Sequence, residues 1–380
     1  MTRKSKSEDT INEKLDLIDD LAESLNSQFK GLKVAYILDK DEDNPAEVDH
    51  WVSTGSTILD IAISNRPNGG LPFGRIVEIM GQSSSGKSLL AAHIAAETQK
   101  IGGYVVYYDT EAAMSKKFAS VIGIDLSKMI YAQIETVEEI FESMEKLIEK
   151  IRKRDSSVPV TFIVDSVMGA TTKVEMESDY DKDGWATAKA IVLSKAMRKI
   201  TNLIAKQKIL LVLTNQLRDK LGVTFGNNET TSGGKAIGFH SSVRLKMKNV
   251  GQIKGKVNNV EQVIGAEVLV QVVKNRIGPP FRATKFSVYF ESGIDNIDSW
   301  LTIMKDYDLV KSAGAWYTYF KKDGEEIKFQ KKDFDEKILM NPELKEEIYS
   351  QICENLIMKY KTENIAEENL IIDDNVILED

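Results

Sequence analysis

Gly81 to Ser88 reads GQSSSGKS, a complete G-x-x-x-x-G-K-S spacing, and it stands between the apolar run GRIVEIM and the helix-patterned SLLAAHIAAETQKI. The glycines let the backbone wrap so that amide hydrogens converge on phosphate oxygens. Lys87 can then neutralise β and γ phosphate charge, and the Ser88 hydroxyl can ligate Mg²⁺. Gly81, Gln82, Ser83, Ser84, Ser85, Gly86, Lys87 and Ser88 are therefore expected to hold ATP with Mg²⁺. The alternation continues with YVVYYD, a helix around 135–152, VTFIVD, a helix at 186–206 and ILLVLT. Continuous apolar strands separated by helices predict an α/β fold with a central, mostly parallel sheet covered on both faces. SVRLKM, AEVLVQVVKN and KFSVYFESG read as further strands.

In such a sheet the chemistry gathers at the carboxyl ends of the strands. Asp165 closes VTFIVD, where its carboxylate can hold Mg²⁺ directly or through water, or simply cap the next segment. YVVYYDTEAAM supplies Asp109 and Glu111 at a neighbouring strand end, and Glu111 is the candidate for activating an attacking water. Gln216, ending ILLVLTNQ, can touch a γ phosphate and report it onward, or satisfy loop backbone as a strand-end amide.

Composition closes off other classes. A single cysteine, Cys353, cannot form an internal disulfide, and three histidines offer no zinc-site spacing. The opening MTRKSKSEDT is basic but leads into no apolar stretch, and no run of about 18 apolar residues occurs, so a cytoplasmic chain is expected with no membrane partner. The net charge of −8 hides an uneven distribution. Residues 361–380 carry one lysine against seven acids, whereas Ile191 to Lys248 holds eleven Lys or Arg against two acids, a local +9.

The chain reads as four regions. Residues 1–50 form a helix and an acidic linker, with Ile11, Leu15, Ile18, Leu21, Leu25 and Phe29 on one helical face that must bury on its own core or on a neighbouring subunit. Residues 51–299 form the ATPase core, 300–360 a small α+β domain and 361–380 an acidic, mobile tail. Residues 333–360 are expected to be helical, and a hairpin is expected around Asp323 and Gly324.

Two polar stretches lie after strands of this core. ATTKVEMESDYDKDGWATAK contains Tyr180 and Trp185; RDKLGVTFGNNETTSGGKAIG contains Lys220, Phe225, Gly233, Gly234 and Lys235. With Arg198, Arg218 and Arg244 they make a candidate single-stranded nucleic-acid surface, in which cations and backbone amides meet phosphates and the loops separate groups of bases. Two solvated flexible loops would have the same composition.

The ordered series STGSTILDIAI, GGLPFGRIVEIMGQSSSGKS, DTEAA, IVDSV, SKAMRKI, TNQLRDKLGVTFGNNETTSGGKAIGFHSSVRL, VVKNRIGPPF and KSAGAWYTY, over about residues 50–320, resembles the bacterial RecA recombinase family, including its phage-encoded relatives. The resemblance implies an ATP-dependent DNA recombinase that forms helical filaments on single-stranded DNA, pairs it with homologous double-stranded DNA and hydrolyses ATP on DNA stimulation in the bacterial cytoplasm. It implies that Phe118 lies against the adenine ring and that Glu111 is the catalytic carboxylate. Gln216 would couple the γ phosphate to the 218–238 loop. Lys274 and Arg276 would reach the neighbouring subunit's ATP, Phe239 would sit at the filament interface, and the N-terminal arm would dock on the adjacent core.

The first loop, EMESDYDKDGW, departs from the family's Gly-rich text, NRIGPP replaces a KIAAP-like run, and 31–50 is longer and more acidic. A ring-shaped helicase or loader on the same core, and a non-catalytic ATP-dependent DNA scaffold, are the competing readings.

Overall fold

The computed structural model describes residues 17–29, 33–38, 40, 44–178, 185–219, 229–231, 233–322 and 324–359. The chain divides into a unit ending at Asp49 and a second beginning at His50. In the first, helix α1 covers 17–27. Asn26 ties the end of this helix to a later stretch of chain: its side-chain oxygen accepts from the Val34 and Ala35 amides at 2.8 Å, and its nitrogen donates to the Ala35 carbonyl at 3.0 Å. Leu17, Ile18, Leu21, Leu25 and Phe29 all stay exposed. Ile11 and Leu15 of the expected stripe lie outside the described residues.

In the second unit, β1 (Trp51–Val52), α2 (Thr57–Ser64) and β2 (Leu71–Pro72) precede β3 (Arg75–Gly81), which leads through the phosphate loop into α3 (Lys87–Lys100). Next come β4 (Tyr104–Asp109), α4 (Lys116–Ile122), β5 (Met129–Ala132), α5 (Val137–Arg154), β6 (Val160–Asp165), α6 (Lys173–Met176) and α7 (Trp185–Lys206). The chain continues through β7 (Leu210–Asp219), β8 (Glu229–Thr231), α8 (Ala236–His240), β9 (Val243–Val257), β10 (Val260–Asn275), β11 (Ala283–Tyr289) and β12 (Gly293–Ile294). The main sheet runs β12-β11-β10-β9-β3-β7-β6-β4-β5, with β8 paired to β7. From β9 through β5 neighbours are parallel; β9 through β12 are antiparallel.

The parallel strands are continuous apolar runs because both faces are covered. On one face α2 and α3 pack Leu59, Ile63, Leu90 and Ile94 against Val77, Ile79 and Val212. On the other, α5 and α7 contribute Ile140, Met144, Leu193, Met197 and Ile200 against Ile76, Phe162 and Leu211. α5 begins where Thr136 accepts from the Glu139 amide at 3.3 Å, with Glu138 and Glu139 in its first turn and Arg152, Lys153 and Arg154 in its last, matching the helix dipole at both ends.

β9 and β10 run far beyond the short strands expected. Their 15 and 16 residues pair across a two-residue turn at Asn258 and Asn259, both with positive φ, which asparagine tolerates better than most side chains. The added length is largely exposed, Val250, Val257, Val260 and Val263 included, so its apolar residues belong to no core and gave no continuous buried run to read in the sequence.

After β12, α9 (Asn296–Asp306), the antiparallel sheet β13 (Val310–Ala313), β14 (Trp316–Phe320) and β15 (Glu326–Gln330), and α10 (Pro342–Leu356) complete the described chain. Trp300 meets Phe334 edge-on at 6.2 Å and donates from its indole nitrogen to the Thr57 hydroxyl at 2.9 Å. The single helix expected over 333–360 is instead a 3₁₀ turn at Lys331–Asp333, a π-helical turn at Asp335–Leu339 and then α10. Asn341 and Pro342 cause the break: the Asn341 side chain accepts from the Leu344 amide, and Pro342 takes a first-turn position where a missing amide hydrogen costs nothing.

Candidate nucleotide site and nucleic-acid groove

Strand register sets the site. Gly81 pairs with Gln216 across β3 and β7, and Asp109 with Asp165 across β4 and β6, so four of the expected positions share the carboxyl edge of the sheet. A Cβ on Gly81 would stand 2.4 Å from the Ser85 hydroxyl and 2.5 Å from the Met247 carbonyl, so only glycine lets the loop turn this closely against β9. Gln82, Ser83, Ser84 and Ser88 are exposed or half-buried around the turn, and Lys87 is half-buried. The Lys87 ammonium donates to the Gly81 and Gln82 carbonyls at 3.1 and 2.8 Å. Burial lowers its pKa, and attraction to Asp165 and Glu111 opposes that, which places both carboxylates in the field of the loop's cation.

Each carboxylate is held by neighbours. Asp165 accepts from the Tyr107 phenol at 2.6 Å on one oxygen and from the Thr214 hydroxyl at 2.5 Å on the other. The exposed Glu111 accepts from the Ser166 hydroxyl at 2.7 Å. Asp109 is buried and shapes the turn that carries Glu111: its oxygens accept from the Glu111 and Met114 amides at 3.1 and 2.9 Å and from the Tyr131 phenol at 2.9 Å. Tyr107 and Tyr131 read in sequence only as strand aromatics.

A cavity of about 580 Å³ opens beside the phosphate loop, lined by Ser84 to Leu89, Phe118, Val268, Val288, Tyr289 and Phe290 among others. Phe118, in α4, is part of this wall. Tyr289 and Phe290 were not anticipated; an aromatic pair at the end of KFSVYFESG was their only signal.

Lys274 and Arg276 stand apart from these residues. Lys274 pairs in register with Arg244, which pairs with Glu78, three residues short of Gly81 along β3. The Lys274 ammonium donates to the Gly238 and Phe239 carbonyls at 2.7 and 2.9 Å, and Arg276 to the Phe239 carbonyl at 3.3 Å. The two cations therefore gather at the carboxyl end of α8. Lys274 is pushed down to about 8, first by burial and then by Arg276 and Arg244. Phe239, on the same turn, is exposed.

Arg198, Gly233, Gly234 and Lys235 come together in an open groove of about 930 Å³ between α7 and the turn before α8, with Ile191, Phe239 and His240. Gly233 has φ +87°, and a Cβ there would lie 2.3 Å from Leu193, so the turn settles on α7 only without a side chain. The His240 pKa is lowered by burial and then by Arg198, Arg276 and Lys274, three cations that face this end of the groove. Arg218 is exposed at the end of β7, its guanidinium 3.6 Å from the Met168 sulfur. Lys189 of α7 clasps the root of the first loop, donating to the Met168 and Ala170 carbonyls at 2.9 and 2.5 Å. Trp185 begins α7; its side chain, Tyr180, Lys220 and Phe225 lie outside the described residues.

Arg244 leaves the set of exposed phosphate-facing cations. Its Nε donates to Glu78 at 2.7 Å within the sheet, and its side chain is only 17% exposed. The local excess of Lys and Arg counted it with the phosphate-facing cations, but a fully buried acid on the adjacent parallel strand draws it inward.

The model for the RecA N-terminal domain matches residues 20–295. The chain belongs to the RecA family. It is 37% identical to Protein RecA of Lactobacillus delbrueckii subsp. bulgaricus over 82% of this chain and 89% of that one. It is 40% identical to Protein RecA of Clostridioides difficile over 70% and 73%. The central sheet with flanking helices and the small antiparallel sheet after α9 are the family's α/β architecture.

Proposed function

We infer that this chain is an ATP-dependent DNA recombinase, a DNA-dependent ATPase that works as a filament on single-stranded DNA and pairs it with homologous duplex. The observation that carries this reading is the placement of Lys87 in the field of Asp165 and Glu111 at one sheet edge, in a chain of this family. The phosphate loop fits ATP. The Ser85 hydroxyl is buried without a hydrogen-bond partner, and the Lys87 ammonium rests on loop carbonyls that a phosphate can replace. Among the described residues no three His, Cys, Asp or Glu side chains cluster to hold a metal, so Ser88 and Asp165 would be the protein's share of an Mg²⁺ shell completed by phosphate oxygens and water. Mg²⁺ supplies charge neutralisation on the phosphates.

Within that site Gly81 to Ser88 bind phosphate and Phe118 covers the base. Glu111, oriented by Ser166, takes the proton of the attacking water, and Gln216 senses the γ phosphate at the root of the second loop. Lys274 and Arg276 exchange the α8 carbonyls for the ATP of an adjacent protomer. A site completed in this way exists only in a head-to-tail stack, and such a contact, if it does not close, builds a helix. The arm up to residue 50, with its exposed apolar face, docks on the next core of residues 51–299. Residues 300–360 form the small domain and 361–380 an acidic tail. Single-stranded DNA lies along Arg198, Arg218, Gly233, Gly234 and Lys235, with Trp185, Lys220 and Phe225 contributed by the loops. No helix among the described residues is long and apolar enough to cross a membrane, and a bacterial cytoplasm is the proposed setting.

ATP turnover with and without single-stranded DNA, at matched salt and protein concentration, tests the reading. A strong rise with DNA, accompanied by open filaments in electron micrographs, is expected. A folded chain that binds ATP without stimulation would be a scaffold, and closed rings that unwind duplex would be a helicase or loader.

A further inference from the structure

Glu78 is a carboxylate with no exposed surface in the middle of the central strand, in a position where an apolar side chain would pack at no electrostatic cost. Burying a charge is expensive unless its oxygens are fully engaged, and the cost makes the engaged partners informative. One oxygen accepts from the Asn215 amide nitrogen at 3.0 Å; the other accepts from Arg244 Nε at 2.7 Å. These partners come from strands on opposite sides of β3.

Each partner continues outward. The Asn215 side-chain oxygen accepts from the backbone amide of Gln216 at 3.0 Å, so the amide group that binds Glu78 also fixes the peptide of the residue at the sheet's carboxyl edge. On the other side, the Arg244 guanidinium packs so closely on Gly238 that a Cβ there would stand 3.0 Å from its carbon, and the Gly238 carbonyl is the one that receives Lys274. Arg244 and Lys274 are also register partners, beside a bulge in β10. One buried charge is thereby shared by the strand that carries Gln216 and by the turn that holds Lys274, Arg276 and Phe239.

We propose that Glu78 is a positioning residue that couples Gln216 to the cations at the end of α8, so that the state of the phosphate edge and the reach of Lys274 and Arg276 change together. The proposal rests on the recombinase reading. A continuous path of contacts is not by itself coupling, and the decisive quantity is the non-additivity of substitutions at Glu78 and at Gln216.

The test is a double-mutant cycle on the full-length protein with saturating single-stranded DNA, using Glu78→Gln, Gln216→Ala and the pair. Glu78→Gln is expected to lower DNA-stimulated kcat about tenfold while KM for ATP changes less than about twofold, and to add less than about twofold in the Gln216→Ala background. A merely structural carboxylate would give independent, multiplying losses, and that result overturns the proposal. If Glu78→Gln loses its cooperative thermal transition, Asn215→Ala, which leaves the Glu78–Arg244 pair intact, takes its place in the cycle under the same criteria. Wild-type turnover that ignores DNA would instead bring down the recombinase reading, and this coupling with it. Normal stimulation in the wild type, lost in Gln216→Ala and kept in Glu78→Gln, rejects the coupling alone.

Discussion

The Tyr107 phenol donates to Asp165 at 2.6 Å, across two neighbouring parallel strands, while Thr214 holds the second carboxylate oxygen from the other side. Desolvation and the two nearby aspartates raise the Tyr107 pKa well above its ordinary value, so it remains a donor throughout the working pH range. Tyr107→Phe should leave the fold intact and let the carboxylate turn. We expect the Mg²⁺ concentration for half-maximal ATP turnover to rise by about 10- to 100-fold, the usual effect of losing an outer-sphere partner. An unchanged Mg²⁺ titration would separate Tyr107 from the metal.

Glu111 is held by Ser166 rather than by a cation, so its removal should disturb chemistry more than binding. Glu111→Gln is expected to keep ATP-dependent filaments on DNA and to slow hydrolysis by about 10²- to 10⁴-fold, the range of a general base. Filament lifetime and phosphate release, measured on the same sample, check both halves.

Replacement of Lys274 and Arg276 together by Ala should abolish turnover while leaving the thermal transition of the chain close to that of the wild type. In mixed filaments with a Glu111→Gln protomer, turnover should partly return, because an intact phosphate edge can meet intact cations across one joint. Titrating the two proteins against each other and measuring phosphate release decides between action on the neighbour and action within the chain.

The buried Asp60 carboxyl is raised to about 7, chiefly by desolvation, despite hydrogen bonds from Ser53 and Thr54. A group with a higher pKa in the folded state binds its proton more readily there, so this contribution is fully present below about 4 and is lost as pH rises through 7. The thermal midpoint of Asp60→Asn should therefore show a flatter dependence than the wild type between pH 5 and 7, read by calorimetry.

Much of this molecule is legible in its sequence. GQSSSGKS, Asp165 and Glu111 announce themselves because a strand end leading into a polar or glycine-rich turn is a local pattern, whereas β7 runs on three residues past the expected end at Gln216, whose place at the edge comes from its register with Gly81. Phe118 is placed only by resemblance and then found on the cavity wall. The features that escaped depend on register. Arg244 reads as an exposed cation until Glu78 is seen opposite it, and Tyr107 reads as packing until its strand's partner proves to end in an aspartate. The break before α10 was written locally in Asn341 and Pro342, and helical periodicity on either side masked it.

Lys189 bears on how this chain can vary. By reaching back 19 residues to the Ala170 carbonyl, its ammonium closes the base of the segment that includes α6 and the divergent EMESDYDKDGW text. A segment whose ends are pinned together passes little of its own length or composition into the framework, since doubling such a span costs only about 0.6 kcal/mol in closure entropy. The clasp at its neck separates what is written between Ala170 and Lys189 from the framework, so that this stretch can be rewritten while the sheet beneath it keeps its register.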